Sequence, residues 1–292
     1  MDKGIDLIPL IDLSLTIFGN NIKHSSEGNV PNERTIIIYD PETKAPIHGY
    51  LRTTLLNSNG AYLMQGDEDV LIAFLKYTID RPLKARHIDI PSINTMLNIL
   101  GLSRNGKAYN KFLDSCRRLK SIMIETNVWK DNLTGKYGTL FFALFDEIFV
   151  GGRSILDSEI ISHSNGMYIK WSSPIWMSIL QKRYKYIDMD VYRKLKNPGA
   201  RKLYRVVDKR MYQKESASIP LDYLGGNILN LTNSRGADWY YKKFISKYAD
   251  ILVKNNCIKG YKFEKTDGKI NVRFFKAEKE SSQDLQLFQI VR

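Results

Sequence analysis

One pattern occurs twice in this chain, about 130 residues apart, and it constrains the fold more than any other feature. The first copy opens with Ile90-Pro91, reaches Ser103-Arg104-Asn105-Gly106, and continues through Tyr109, Phe112, Cys116 and Leu119 to a β-type segment. The second opens with Ile219-Pro220, reaches Ser234-Arg235-Gly236, and continues through Tyr240, Phe244, Tyr248 and Ile251 to Arg273-Phe274-Phe275. Each copy reads as helix, turn, basic helix and β-hairpin, the order of a winged helix. A repeat sets the architecture before any single element does. The expected fold class is therefore α+β, with two tandem winged-helix domains related by internal duplication.

With 292 residues, 43% of them hydrophobic, the chain can fill one large core or two modest ones. No run of about 18 apolar residues marks a membrane span, and Asp2, Asp6 and Asp12 interrupt any signal-like apolar core at the N-terminus. Two cysteines, Cys116 and Cys257, cannot form a disulfide framework; they read as buried free thiols in a reducing cytoplasm.

The net charge of +13 is unevenly placed. Residues 181–276 hold 23 Lys/Arg against 9 Asp/Glu, whereas residues 1–180 hold 19 of each. A positive field confined to the second repeat attracts a polyanion and makes affinity steeply salt-dependent. Its basic residues alternate with core apolar positions, unlike a polybasic membrane tail.

The breakers along residues 1–33 mark a flexible N-terminal segment. Residues 34–173 read as the first winged-helix domain, with an added small sheet from Thr35–Tyr39 and Tyr50–Leu56; residues 174–276 form the second, and 277–292 a tail. Asp67 is placed to cap a helix running to about Ile79. Ser92 and Gly101 bracket the next helix, and Ser103 caps the one after. In that third helix Tyr109, Phe112, Cys116 and Leu119 face a core, while Arg104, Asn105, Lys107, Lys111 and Arg118 fall largely elsewhere, as a recognition helix requires. The hairpin Ile122–Trp129 and Tyr137–Phe145 supplies its wing, with Lys130 and Lys136 near the tip. The second recognition helix spans about Ser234–Lys254 and offers Arg235, Lys242, Lys243 and Ser246; its wing carries Lys262, Lys265, Lys269 and Arg273.

Enzyme signatures are sparse. His24, His48, His87 and His163 stand alone, without metal-ligand spacing. No Gly-x-x-x-x-Gly-Lys-Ser/Thr loop occurs, and Asp67-Glu68-Asp69 lacks a distant acidic partner for a two-metal site. Tyr240-x-x-Lys243 resembles the catalytic motif of rolling-circle nickases, but those enzymes also need a close His pair. The expectation is a protein without catalytic activity, metal or cofactor.

Ala200-Arg201-Lys202-Leu203-Tyr204-Arg205-Val206-Val207-Asp208-Lys209-Arg210, followed by Ser218-Ile219-Pro220-Leu221, resembles the plasmid replication initiator protein A family, and the likeness extends over roughly residues 35–276. The resemblance implies a sequence-specific double-stranded DNA-binding protein that binds repeated origin sites and recruits host replication proteins, such as a helicase or its loader. It also implies a homodimer formed through the first winged helix, which suits that unit's near-neutral charge. In the tail, Asp284-Leu285-Gln286-Leu287-Phe288 is similar to peptides that dock on bacterial sliding clamps, with Leu285, Leu287 and Phe288 as the apolar contacts. Asp stands where the leading Gln is usual. A winged-helix transcriptional regulator, from plasmid or phage, is the alternative.

Overall fold

The structure, a computed structural model, describes residues 3–7, 32–39, 46–55, 65–130, 136–151, 166–182, 184–229, 231, 238–266 and 268–277. Its first part runs β1 (Lys3–Leu7), β2 (Asn32–Tyr39), β3 (Pro46–Leu55), α1 (Gln65–Ile79), β4 (His87–Ile90), α2 (Ile93–Leu100), α3 (Gly106–Ser121), β5 (Ile122–Lys130) and β6 (Tyr137–Ala143). It continues through β7 (Phe145–Val150), β8 (Met167–Trp171), α4 (Ser173–Leu180), β9 (Tyr184–Asp188) and α5 (Met189–Lys194). The chain goes on through α6 (Pro198–Arg210), β10 (Ser216–Pro220), a π-helical turn (Tyr223–Ile228), α7 (Asp238–Lys254), β11 (Ile258–Thr266) and β12 (Lys269–Lys276). Two compact units result: residues 1–194 with 225–232, and residues 195–224 with 233–292. The division thus falls after Lys194 and not at 173/174, since β9 pairs antiparallel with β1, from Lys3↔Asp188 to Leu7↔Tyr184. That pairing also gives strand structure to part of the segment expected to be loose.

Local chemistry sets the helix ends of the first unit. Ser92 caps α2 by accepting the Thr95 N–H, and Gly101 closes it in the left-handed region at φ 67°. The Leu102 N–H reaches back to the Leu97 carbonyl and the Gly101 N–H to that of Asn98, a Schellman closure. Asn105, and not Ser103, caps α3: its Oδ1 accepts the Ala108 N–H while its Nδ2 donates to Ser103 Oγ. The two-residue difference places the first helical turn at Gly106.

The core of this unit forms where α1, α3 and the sheet β4-β8-β7 converge. Ile88, Ile90, Met167, Ile169 and Trp171 point inward at alternate positions, as a strand's period of two demands. Phe74 on α1 meets Phe112 and Phe145 edge-on, at 5.8 and 5.5 Å between centroids. Trp171 stacks on Phe145 at 4.5 Å and donates its indole N–H to Thr78 Oγ1. Each such ring contributes about 1.5–3 kcal/mol by burial, and edge-to-face contacts add about 0.5–1.5 kcal/mol each.

The wing of the first unit is not the hairpin expected from the sequence. β4 pairs with β8 and β8 with β7, so β7–β8 is the wing hairpin. β5 and β6 instead join β2 and β3 in a four-stranded antiparallel sheet of order β2-β3-β5-β6. The added sheet was foreseen, but with two strands. The Ile122–Ala143 hairpin has the alternation of a wing, and only its partner strand β3 reveals its allegiance.

Asp67 also departs from expectation. It lies inside α1 rather than at its cap, is 0% exposed, and accepts two bonds from Arg118, at 2.9 Å from Nε and 2.7 Å from Nη2. Asp69 accepts the Tyr192 hydroxyl at 2.7 Å. The acidic run therefore ties α1 to α3 and α5. Cys116 is buried, which pushes its thiol up to about 12, whereas Cys257 is only half-buried.

The second unit repeats the plan without the insertion. Asn197 caps α6 through the Ala200 N–H, with Pro198 in the first turn. β10 pairs with β12 and β12 with β11, so α7 leads directly into its wing. Gly199 on α6 lies against the Tyr248 ring of α7, so close that an added Cβ would stand 2.3 Å from it.

Candidate nucleic-acid interface

α3 and α7 are the two candidate recognition helices. In α3, Ala108, Phe112, Ser115, Cys116 and Leu119 are buried, which leaves Lys107, Asn110, Lys111, Asp114 and Arg117 on the solvent side. Lys107 and Lys111 thus stand where the sequence placed them. Arg104 is exposed and donates to Asn98 Oδ1 at 3.2 Å. Asn105 spends its carbonyl on the helix cap. Arg118 is the clear exception, its guanidinium turned inward onto Asp67 and only 22% exposed. That hydrogen bond holds the Arg118 pKa above its usual value, so the group remains a cation committed to the fold. Lys130 ends β5 and Lys136 directly precedes β6, so they flank the turn of a hairpin in the four-stranded sheet and are not part of the β7–β8 hairpin. Tyr109, expected in the core, is half-buried and lines a groove between α3 and β7 with Leu113, Arg117, Lys120, Ile148 and Val150.

The near-neutral charge of the first unit has a structural counterpart in surface ion pairs. Arg86 meets Asp146, Arg117 meets Asp114, and Lys170 meets Glu147, at 2.7–2.8 Å. Lys170 holds the Glu147 carboxyl below the usual range. The outer face of β4-β8-β7 also carries a row of rings. His87 lies 4.4 Å from Tyr168, and Phe149 stacks on Tyr168 at 5.2 Å.

In α7 the buried positions are Ile245, Tyr248, Ala249 and Leu252. Tyr240 and Phe244 continue that aromatic row toward the N-terminus, 4.8 Å apart, so Tyr240 is half-buried among rings. The exposed positions are Asp238, Trp239, Lys243, Lys247, Asp250 and Lys254. Lys243 is where the sequence placed it. Lys242 lies over the Phe263 ring at 5.8 Å. Tyr261 links Ser246 and Asp250, donating to Asp250 Oδ1 at 2.9 Å, so these contacts hold the wing on the helix. Arg235 and the tail residues Leu285, Leu287 and Phe288 lie outside the described residues. Trp239 and Lys247 were missed, although the spacing Trp239, Lys243, Lys247 marks one helical stripe.

The second wing has two faces. Tyr261, Phe263, Val272 and Phe274 turn toward α7, and Lys262, Glu264 and Arg273 turn away. Glu264 pairs with Lys262 at 2.6 Å and with Arg273 at 3.2 Å. Lys262's bond and Arg273's charge hold its carboxyl below the usual range. Lys265 and Lys269 stand exposed beside the tip, where Gly268 takes φ 76°. Part of the positive charge of this segment is not on the surface: Lys202 and Arg205 are buried, and Arg201 donates to the Leu195 carbonyl. The basic stretch that carried the family resemblance is largely internal.

Helix, strand, helical turn, helix and hairpin, with the first strand paired to the last, define a winged helix, and this chain is an α+β protein containing two in tandem. Domains 2 and 3 of RctB have a similar fold. The crystal structure of their SeMet derivative matches at TM-score 0.56 and 13% identity, covering 92% of this chain and 98% of that one. The crystal structure of RctB-155-483 matches at TM-score 0.53 and 13% identity, covering 92% and 96%. No protein-family model and no curated protein sequence matches the chain. Among the described residues, no helix is long and apolar enough to cross a membrane, and no cluster of His, Cys, Asp or Glu could hold a metal ion.

Proposed function

We propose that this chain is a sequence-specific double-stranded DNA-binding replication initiator, which binds repeated origin sites of a plasmid or related replicon in the cytoplasm and has no catalytic step of its own. The observation that carries the reading is the cationic stripe of α7, Lys243, Lys247 and Lys254, on a helix whose apolar side is fixed against α6 and the wing. A helix of that build enters a major groove while wing lysines meet phosphates. The fold likeness to RctB, a replication initiator, supports the same reading. Recruitment of a host helicase or its loader, and of a sliding clamp through Leu285, Leu287 and Phe288, belongs to the proposal. So does a homodimer through the first unit, whose surface is nearly neutral and ring-bearing.

Binding to direct-repeat duplexes is tested by fluorescence anisotropy across a salt series. Each phosphate contact contributes about 0.9 to the slope of log affinity against log salt. Changing Lys243 and Lys247 together to Ala should flatten the slope by about 2. An unchanged slope and affinity would remove α7 from the interface.

A further inference from the structure

Trp239 is the largest apolar side chain standing in solvent on either candidate recognition helix, at 63% exposure. It occupies the first turn of α7, one residue after Asp238. Its indole meets the Tyr240 ring edge-on at 5.8 Å, and Tyr240 is itself lodged against Phe244. The exposed indole therefore rests on a ring that belongs to the packed side of the helix. Lys243 and Lys247 follow it at intervals of four, so one stripe presents an apolar plate and then two ammonium groups.

Resting on the duplex-DNA reading above, we propose that Trp239 is a specificity-determining residue that reads the C5-methyl groups of thymine in the major groove. The first turn of a recognition helix is the part that approaches base edges. Of the groups displayed on that floor, the thymine methyl is the apolar one. An indole offers no acceptor and a single N–H donor, so its large gain comes from covering apolar surface. Lys243 and Lys247, one and two turns deeper, supply the charge that draws the helix in without choosing a base. The chemistry predicts a site with thymine where the first turn of α7 lies, and lysine contacts on the flanking phosphates.

The experiment uses the full chain and a pool of randomised duplexes. Wild-type protein selects sites, and each thymine in the enriched sequence is then replaced by deoxyuridine, which removes only the methyl group. Covering one methyl is worth about a fourfold change in affinity. Wild type should lose about fourfold at one or two thymines. Trp239→Ala should bind the thymine and deoxyuridine duplexes equally, and Trp239→Phe should retain part of the discrimination. A wild type indifferent to every replacement, or a Trp239→Ala protein as sensitive as wild type, overturns the assignment while duplex binding stands. If no sequence is enriched and no duplex is bound, the duplex-DNA reading fails and takes this assignment with it.

Discussion

Arg118 separates two accounts of the same helix, and replacing it by Met tests them. On a DNA-facing surface, Met would lower affinity and leave stability almost untouched. In the structure, Arg118 delivers two bonds of 2.9 and 2.7 Å to a carboxylate with no solvent exposure. Removing one partner of a buried pair typically costs about 3–5 kcal/mol, because the remaining charge loses the counter-ion that offset its desolvation. Arg118 retains 22% exposure, so water can reach part of the vacated site and the lower end, about 3 kcal/mol, is expected. Urea unfolding followed by far-UV circular dichroism should show the loss as a fall in midpoint at constant slope. Adding Asp67→Asn should recover at least about 2 kcal/mol, since both charges are then gone. DNA affinity, measured where each variant is fully folded, should stay within about twofold of wild type. A cost below about 1 kcal/mol together with a tenfold loss of affinity would refute the inward placement.

Two further substitutions test packing and charge. Glu264→Gln releases Lys262 and Arg273 and should raise duplex affinity and steepen its salt slope, by anisotropy. Because the Glu264 pKa is lowered in the fold, its stabilising contribution is present above about pH 4.3 and is lost as pH falls through the lower folded value; the unfolding midpoints of Glu264→Gln and wild type should thus differ at pH 6 and converge as pH falls below that lowered value. Gly199→Ala drives a methyl into the buried Tyr248 ring and should cost about 1–3 kcal/mol, read as a lower Tm, with much of it restored by adding Tyr248→Leu.

Local chemistry was the most legible part of the sequence. Ser92 and Gly101 act within a few residues of their own positions, one through its hydroxyl and the other through its backbone, and they stand where sequence reasoning puts helix ends. The alternation of Lys262/Phe263 and Arg273/Phe274 likewise gave the two faces of the second wing. What sequence could not supply was the choice among distant partners. Helical rotation places Arg118 within about 20° of Lys107 on the wheel, yet one side chain stands in solvent and the other turns inward onto Asp67. The difference is the N-terminal end of α1, fifty residues earlier in the chain, which brings Asp67 over the last turns of α3. The first wing was misplaced for the same reason, because β-alternation in Ile122–Ala143 says nothing about which sheet receives the hairpin. Net charge per segment misled in part as well, since it counts Lys202 and Arg205 with the solvent-facing lysines.

The hairpin inserted between α3 and β7 also bears on how the two halves come to be folded. In the first unit the edge strand at His87 meets its partner only at Lys170, and the hairpin inside that interval must also find β3 outside it, where Leu51 meets Thr126. In the second, Ser216 meets Phe275, and among the described residues between them lie only the helices and the wing. Longer separation between pairing strands means a larger loop-closure cost before the pairing is rewarded, and a slower search. The half emerging first from the ribosome is therefore the one with the more distant sheet to close, and the half that carries the cationic helix has the shorter route to its native form.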